Sequence, residues 1–298
     1  MTFDIIVAGG SYAGLAAALQ VARARRKVLV IDAGERRNRF AATSHGFLTQ
    51  DGRPPEQIAR EGREQLLAYP TVTWADARAE HAQGRLGAFS LSTSDGSTHT
   101  GRRLVLATGV ADRLPDIPGL QERWGESVFH CPYCHGYETD GGPLGVLATG
   151  PLAIHQAMML PDWGRTTLFT NGLFEPDGGQ RASLAARGVT IEPVPVAAIS
   201  GAGNRAAVAL SDGRTVELAG LFTMSRTVMA SPLAEQLGCS FEEGPFGPFI
   251  RTEASKMTSV PGVYACGDAA MMAGSVSFAV GDGARAGVAA HQSLIFTQ

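Results

Sequence analysis

Between Asp4 and Asp32 the chain runs strand, glycine turn, helix, strand, acid, and this order constrains the fold more than any other feature. Asp4-Ile5-Ile6-Val7-Ala8 is a short continuous apolar run, the mark of a parallel strand buried on both faces. Gly9-Gly10-Ser11-Tyr12-Ala13-Gly14 follows at once, and helix formers continue from Leu15 to Ala22. Lys27-Val28-Leu29-Val30-Ile31 is a second strand, with Asp32 and Ala33 at its end. Bare glycines let backbone approach a pyrophosphate, and the helix that follows offers free N–H groups and a partial positive charge. Asp32 stands where an acid accepts hydrogen bonds from ribose hydroxyls. The pattern predicts a dinucleotide-binding unit. One position departs from it: Ser11 replaces the middle glycine, so a side chain narrows the approach while offering a hydrogen bond. Arg36, Arg37, Asn38 and Arg39 come next, then His45-Gly46-Phe47-Leu48. The arginines read equally as a solvated face and as partners of adenosine or phosphate.

The same layout returns about 140 residues later. Pro143 to Ala148 reads as a strand, Thr149-Gly150-Pro151-Leu152-Ala153 as the turn, Ala153 to Leu160 as a helix and Thr166 to Thr170 as the next strand. A flavin domain followed by a nicotinamide domain gives such a repeat. In the second copy the chemistry fades. Ala148 occupies the first glycine position, and Gly150 is the one clear match. After the second strand, Thr170-Asn171-Gly172 supplies neither a basic pair for a 2′-phosphate nor an acid for a ribose. His155 and Gln156 read either as helix surface or as groups facing a ligand.

The remaining segments suit an α/β chain. Residues 56 to 68 have helical spacing, 71 to 100 alternate as short strands, and Asp95-Gly96 marks a hairpin turn. Leu104 to Gly109 is a further apolar strand ending in Thr108-Gly109. Pro115 and Pro118 punctuate a crossing between domains. Thr258 to Ala269 closes on Gly267-Asp268, where an acid can bond ribityl or phosphate hydroxyls, and Ser275 to Ala290 reads as a helix rich in small residues.

Cys131-Pro132-Tyr133-Cys134-His135-Gly136-Tyr137-Glu138 carries the second chemical signal. Two thiols at this spacing close a small disulfide ring and shuttle two electrons by exchange. His130 and His135 bracket them, and a histidine there can hold a thiolate or trade a proton with it. Other readings exist. Half a zinc site needs a second close pair, but Cys239 and Cys266 stand alone, so no metal is expected. Cys-x-x-Cys-His also matches covalent haem attachment, which requires export. A glutaredoxin-type site would sit near the start of a small domain, and two buried inert cysteines are the plain alternative. Cys266 reads as a core residue.

Net charge is −3 and there is no basic run, so nucleic acid is not an expected partner. No apolar stretch is long enough for a bilayer, and the first residues enter a strand directly, without a secretory signal. A cytoplasmic protein is expected, with no membrane partner.

These motifs, in this order, resemble the low-molecular-weight thioredoxin reductase family over nearly the whole chain. They are Gly9 to Gly14 with Asp32, Ala107-Thr108-Gly109, Cys131-x-x-Cys134, and Thr258 to Asp268. The resemblance implies an α/β fold of two Rossmann-like, three-layer domains, the second inserted in the first. Residues 1–111 and 243–298 would form the FAD domain, and 112–242 the NAD(P)-like domain with the redox pair. It implies a homodimer, and an FAD site built from Gly9, Gly10, Ser11, Tyr12, Ala13, Gly14, Asp32, Ala33, Arg39, His45, Thr108, Gly109, Gly267 and Asp268. The reductases carry an acid after the second cysteine and an intact nicotinamide turn. Here His135 and Ala148 stand instead. Both departures are similar to the family's dithiol oxidases, which close disulfides in gliotoxin- and holomycin-type products. By that resemblance Cys131 exchanges with substrate, Cys134 faces the flavin, and His135, with Asp282 or His130, moves protons. The expected activity is FAD-dependent oxidation of a dithiol, with electrons passing to oxygen and NAD(P)H a doubtful cofactor. The substrate is a small molecule or a thioredoxin-like protein. Alternatives are an NADPH-dependent thioredoxin reductase, a variant fed by ferredoxin or reduced flavin, and a non-enzymatic flavoprotein scaffold or sensor.

Overall fold

The structure is a computed structural model that describes residues 2–296, and the chain divides into two compact units. Residues 1–39, 47–111 and 227–298 make the first, and 40–46 with 112–226 the second. Met1, Thr297 and Gln298, at the ends of the expected FAD domain, lie outside the described residues.

In the first unit β1 (Thr2–Ala8), α1 (Tyr12–Arg23), β2 (Val28–Asp32), α2 (Pro55–Leu67) and β3 (Val72–Asp76) follow in order. A hairpin series then adds β4 (Ala79–Arg85), β5 (Ala88–Thr93) and β6 (Thr98–Leu106). The sheet order is β3-β2-β1-β6-β5-β4. β1 is parallel to both β2 and β6, whereas β5 is antiparallel to β6. β6 thus unites what read as two strands in sequence: its first half closes the hairpin and its second half, Leu104 to Leu106, lies in the core. Ile5, Ile6 and Val7 are fully buried, which explains the unbroken apolar run of β1. One face of the sheet packs on α1 with Ala17, Ala18 and Val21, the other on Leu233, Ala234, Cys239 and Ile250.

The chain leaves this unit within β7 (Val110–Arg113) and returns within β16 (Arg226–Met229). The expected return was residue 243. Leu233, Ala234 and Cys239 pack with Leu29, Ile31 and Leu106, so residues 227–242 go with the first sheet. The returning segment forms α6 (Leu233–Gln236), β17 (Phe241–Gly244), β18 (Gly247–Ile250), β19 (Val263–Ala265) and α7 (Val276–Phe296). β19 joins the sheet parallel to β6. α7 lies on α1 at backbone distance. A Cβ on Gly283 would stand 2.0 Å from Ala13 O, and one on Gly287 2.3 Å from Ala17 O.

The second unit has a parallel sheet in the order β11-β10-β9-β15-β8. Its strands are β8 (Val128–Phe129), β9 (Gly141–Leu147), β10 (Gly164–Phe169), β11 (Thr190–Glu192) and β15 (Gly220–Thr223). The helices are the single turn α3 (Pro132–His135), α4 (Ala153–Met159) and α5 (Gly178–Ala186). An antiparallel sheet, β12 (Val196–Ser200), β13 (Ala206–Leu210) and β14 (Thr215–Leu218), covers one face. This α/β architecture, with parallel sheets in both units, is the expected fold class. Among the described residues no helix is long and apolar enough to cross a membrane.

Candidate functional site

The first unit builds a cradle from the β1–α1 turn. Gly9 has φ +99°, and a Cβ there would lie 2.3 Å from Ala107 O. Only glycine suits that position. A Cβ on Gly14 would lie 1.8 Å from Gly9 O. The Gly10 N–H donates to Asp32 Oδ1 over 3.0 Å, which ties the turn to the end of β2. Ser11 has φ −82°, so its position does not call for glycine, and its side chain makes no cap bond to α1. The first-turn N–H groups of α1 are left for a ligand. Tyr12 turns its buried hydroxyl onto Pro55 O at 3.2 Å and accepts from Asn38 Nδ2 at 3.2 Å. Burial raises its pKa, so it stays a neutral phenol.

The other expected cofactor residues divide. Thr108 and Gly109 follow Ala107, whose carbonyl touches the glycine turn, and Gly109 has φ +67°. Gly267, φ +68°, would carry a Cβ 2.8 Å from that of Ala13, which brings Asp268 to the N-terminal end of α1. Arg37 meets Asp268 at 2.8 Å. Arg39 instead donates to Arg36 O at 2.7 Å. Ala33 is exposed. The Arg36 Nε is buried without a hydrogen-bond partner in the described structure. Crowded glycines, an uncapped helix start, Asp32 and an orphaned buried guanidinium atom fit a dinucleotide such as FAD.

Asp282, read as a proton carrier, is committed within this unit. Its Oδ1 pairs with Lys256 Nζ at 3.0 Å and its Oδ2 accepts from Gly267 N at 3.0 Å. It anchors the Gly267-Asp268 turn. Neighbouring Cys266 is fully buried, and burial, with Asp282 nearby, pushes its thiol far up. Burial also raises the Cys239 thiol. Both are inert.

The redox pair lies in the second unit. Pro132 starts the single turn α3, Cys131 precedes it in extended conformation, and both cysteines are half-buried thiols. Their sulfurs are 2.7 Å apart. Gly136 closes the turn where a Cβ would meet Pro132 O at 2.6 Å and the Trp163 ring at 2.7 Å. Tyr133 stands edge-on to Trp163 and is largely exposed.

His135 is stacked on Phe129, with ring centroids 4.5 Å apart. Burial first, and His45 second, push its pKa down to about 4. At neutral pH it is uncharged and supplies no positive field to the thiols. His45, expected at the cofactor, groups with the second unit: segment 40–46 carries it edge-on to His135, 6.4 Å between centroids. There His45 Nδ1 is 3.4 Å from Glu138 Oε1, and Nε2 is 3.0 Å from Thr43 Oγ1. His130 is held at its carbonyl and at its ring. Its carbonyl accepts from Gln156 Nε2 at 2.8 Å, and its Nδ1 is 3.5 Å from Ser225 Oγ, which donates to Asp112 Oδ1 at 2.6 Å. Asp112, Ser225 and Gln156 are the residues whose role the sequence hid. Asp112 and Ser225 stand 113 positions apart, and only Gln156 carried a signal, as a polar residue on the face of a helix.

The second turn has a different build. Ala148 is buried, and Thr149 Oγ1 donates to Met224 O at 2.9 Å. His155 is exposed. After β10, Asn171 Oδ1 accepts from Val196 N at 2.8 Å, so its side chain closes a turn. Among the described residues no group of three or more His, Cys, Asp or Glu is placed to hold a metal ion.

A family model described as pyridine nucleotide-disulphide oxidoreductase matches residues 3–291. A protein named thioredoxin reductase tcpT, from Claviceps purpurea, is 34% identical over 304 residues, spanning 98% of this chain and 94% of its own. The crystal structure of an oxidoreductase from Agrobacterium tumefaciens is 55% identical, with TM-score 0.97 over 100% of both chains. The crystal structure of HlmI is 37% identical, with TM-score 0.91 over 99% of this chain and 93% of that one.

Proposed function

The chain belongs to the pyridine nucleotide-disulphide oxidoreductase family, and from that premise we propose that it oxidises a dithiol to a disulfide at Cys131 and Cys134, with oxygen as final electron acceptor. It is an oxidoreductase with thioredoxin reductase-like relatives and uses FAD. When bound, FAD supplies two-electron acceptance from a dithiol and reoxidation by oxygen. In this reading Gly9, Gly10, Ser11, Gly14, Asp32, Thr108, Gly109, Gly267 and Asp268 hold it, with Arg36 and Arg37 at its charged portion. Cys131 exchanges with substrate and Cys134 is its resolving partner. His130 moves protons, and the neutral His135 keeps the surroundings of the pair apolar. A homodimer, resting on the resemblance, and a cytoplasmic location, resting on the sequence expectation, are part of the same proposal.

One observation carries the choice of oxidase over reductase. The first glycine turn is open to a dinucleotide, while the second holds Ala148, the Thr149 bond to Met224 and an Asn171 engaged with Val196. The second reading, an NADPH-dependent thioredoxin reductase, is favoured by the name of the relative from Claviceps purpurea. Anaerobic titration of the yellow protein separates the two. Bleaching of the flavin by dithiothreitol and not by NADPH, with colour and peroxide returning in air, is the expected result. Rapid bleaching by NADPH would overturn the proposal.

A further inference from the structure

The proton that a substrate thiol loses needs an acceptor, and the second unit holds three histidines close to the pair in sequence or space. His135 is half-buried and stacked on Phe129, and His45 is engaged by Glu138 and Thr43. His130, next to Cys131 in the chain, has a different partner. The Ser225 hydroxyl is buried, with the residue 1% exposed, and has a single hydrogen. That hydrogen goes to Asp112 Oδ1 at 2.6 Å. Toward His130 Nδ1, 3.5 Å away, Ser225 Oγ then has only lone pairs to offer. Nδ1 must carry the ring hydrogen to use the contact, and the long separation is of the kind that tightens when substrate binds. Gln156, buried and bonded to the His130 carbonyl, fixes the main chain from which the ring projects.

We infer that Asp112 and Ser225 are positioning residues that fix the tautomer of His130, leaving Nε2 as the basic nitrogen of the residue that precedes Cys131 in the chain. This rests on the proposed thiol exchange. The first substrate thiol gives its proton to Nε2, and its sulfur attacks the Cys131–Cys134 disulfide. Cys134 leaves as thiolate and takes up the proton that the second substrate thiol gives up. The second substrate thiol attacks the mixed disulfide, the substrate's S–S bond forms, and Cys131 leaves to be protonated from Nε2. Two electrons and two protons pass from substrate to the cysteine pair, which ends as two thiols. A ring protonated at Nε2 instead has no lone pair for the first step.

The test is nitrogen NMR of FAD-loaded protein carrying labelled histidine, with the His130 signals identified by their loss in His130→Gln. Wild type is expected to show a protonated Nδ1 and an unprotonated Nε2. Ser225→Ala removes the acceptor and mixes the tautomers, whereas Ser225→Thr restores the hydroxyl and the wild-type pattern. Asp112→Asn is the second variant, in case Ser225→Ala fails to fold. Its amide can donate to Ser225, freeing the hydroxyl to donate to Nδ1, so the tautomer shifts toward a protonated Nε2. Oxidation of dithiothreitol by the Cys pair falls roughly tenfold in Ser225→Ala and Asp112→Asn, and only slightly in Ser225→Thr. Unchanged His130 signals in Ser225→Ala and Asp112→Asn would overturn the inference. The oxidase reading fails separately, through bleaching by NADPH, and that result leaves the tautomer measurement standing.

Discussion

The two glycine turns of this molecule share a layout and differ in what fills them. At the β1–α1 turn the backbone of one segment touches the backbone of another: Gly9 meets Ala107 O and Gly14 meets Gly9 O. At Gly10 the Trp74 ring and the Asp32 side chain lie close enough to bar a Cβ, and no side-chain cap closes the helix start. At the β9–α4 turn a methyl group, Ala148, is buried where bare backbone would be needed, and a threonine side chain ties the turn to Met224. Around Gly150 a Cβ would find nothing within 4 Å. A fold can keep its strand–turn–helix frame after the close approach is gone, because the frame is held by sheet burial and the approach by a few absent side chains.

The largest effects are expected where that comparison is sharpest. Gly9→Ala and Gly14→Ala each force a Cβ into a carbonyl. Each is expected to destabilise by roughly 3 kcal/mol or more and to empty the flavin site, read by urea unfolding and by loss of yellow colour. Comparable in size is the acid response of the second unit. His135 has its pKa lowered from 6.5 to about 4, so the unfolded chain binds a proton that the folded one refuses. Stability is intact above about pH 6.5 and is lost progressively as pH falls toward about 4, by about 3 kcal/mol in all. His135→Phe flattens this slope, and urea midpoints on either side of the window measure it.

Next in size is Asp32→Ala, which strands the Gly10 N–H and removes the expected ribose acceptor. FAD affinity is expected to fall on the order of 10- to 100-fold, followed by fluorescence on flavin release. Thr149→Val, at an exposed position, is expected to cost under about 1 kcal/mol and leave the flavin untouched. Gly150→Ala closes the series, with a stability change within about 0.5 kcal/mol by thermal melting. A Gly150→Ala defect as large as that of Gly14→Ala would mean that the second turn is as tightly built as the first.

Much of this fold was legible before any coordinates. The buried part of β1, Ile5 to Ala8, announces itself as an unbroken apolar run, and Gly9 and Gly14 fall where backbone touches backbone. The spacing of Cys131 and Cys134 places both thiols on one turn with their sulfurs adjacent. Local geometry decides these features, so the local sequence carries them. Side-chain partners across the chain were not legible. Arg39 read like its neighbour Arg37, yet it is Arg37 that stands 2.8 Å from Asp268. His45 read as part of the first motif, whereas the excursion of residues 40–46 carries it to Glu138 and His135. Asp282, an acid on a helix near a flavin motif, is taken by Lys256 and the Gly267 N–H.

The sequence by itself therefore determined the two Rossmann-like frames, the open and the filled turn, and the redox pair, since each follows from backbone conformation and steric bulk at neighbouring positions. Only the tertiary structure decided which histidine stacks on Phe129, that Arg37 meets the acid, and that Asp112 and Ser225 stand behind His130. Those choices depend on burial and on contacts between residues far apart in the chain, and both are set when the sheets and helices pack.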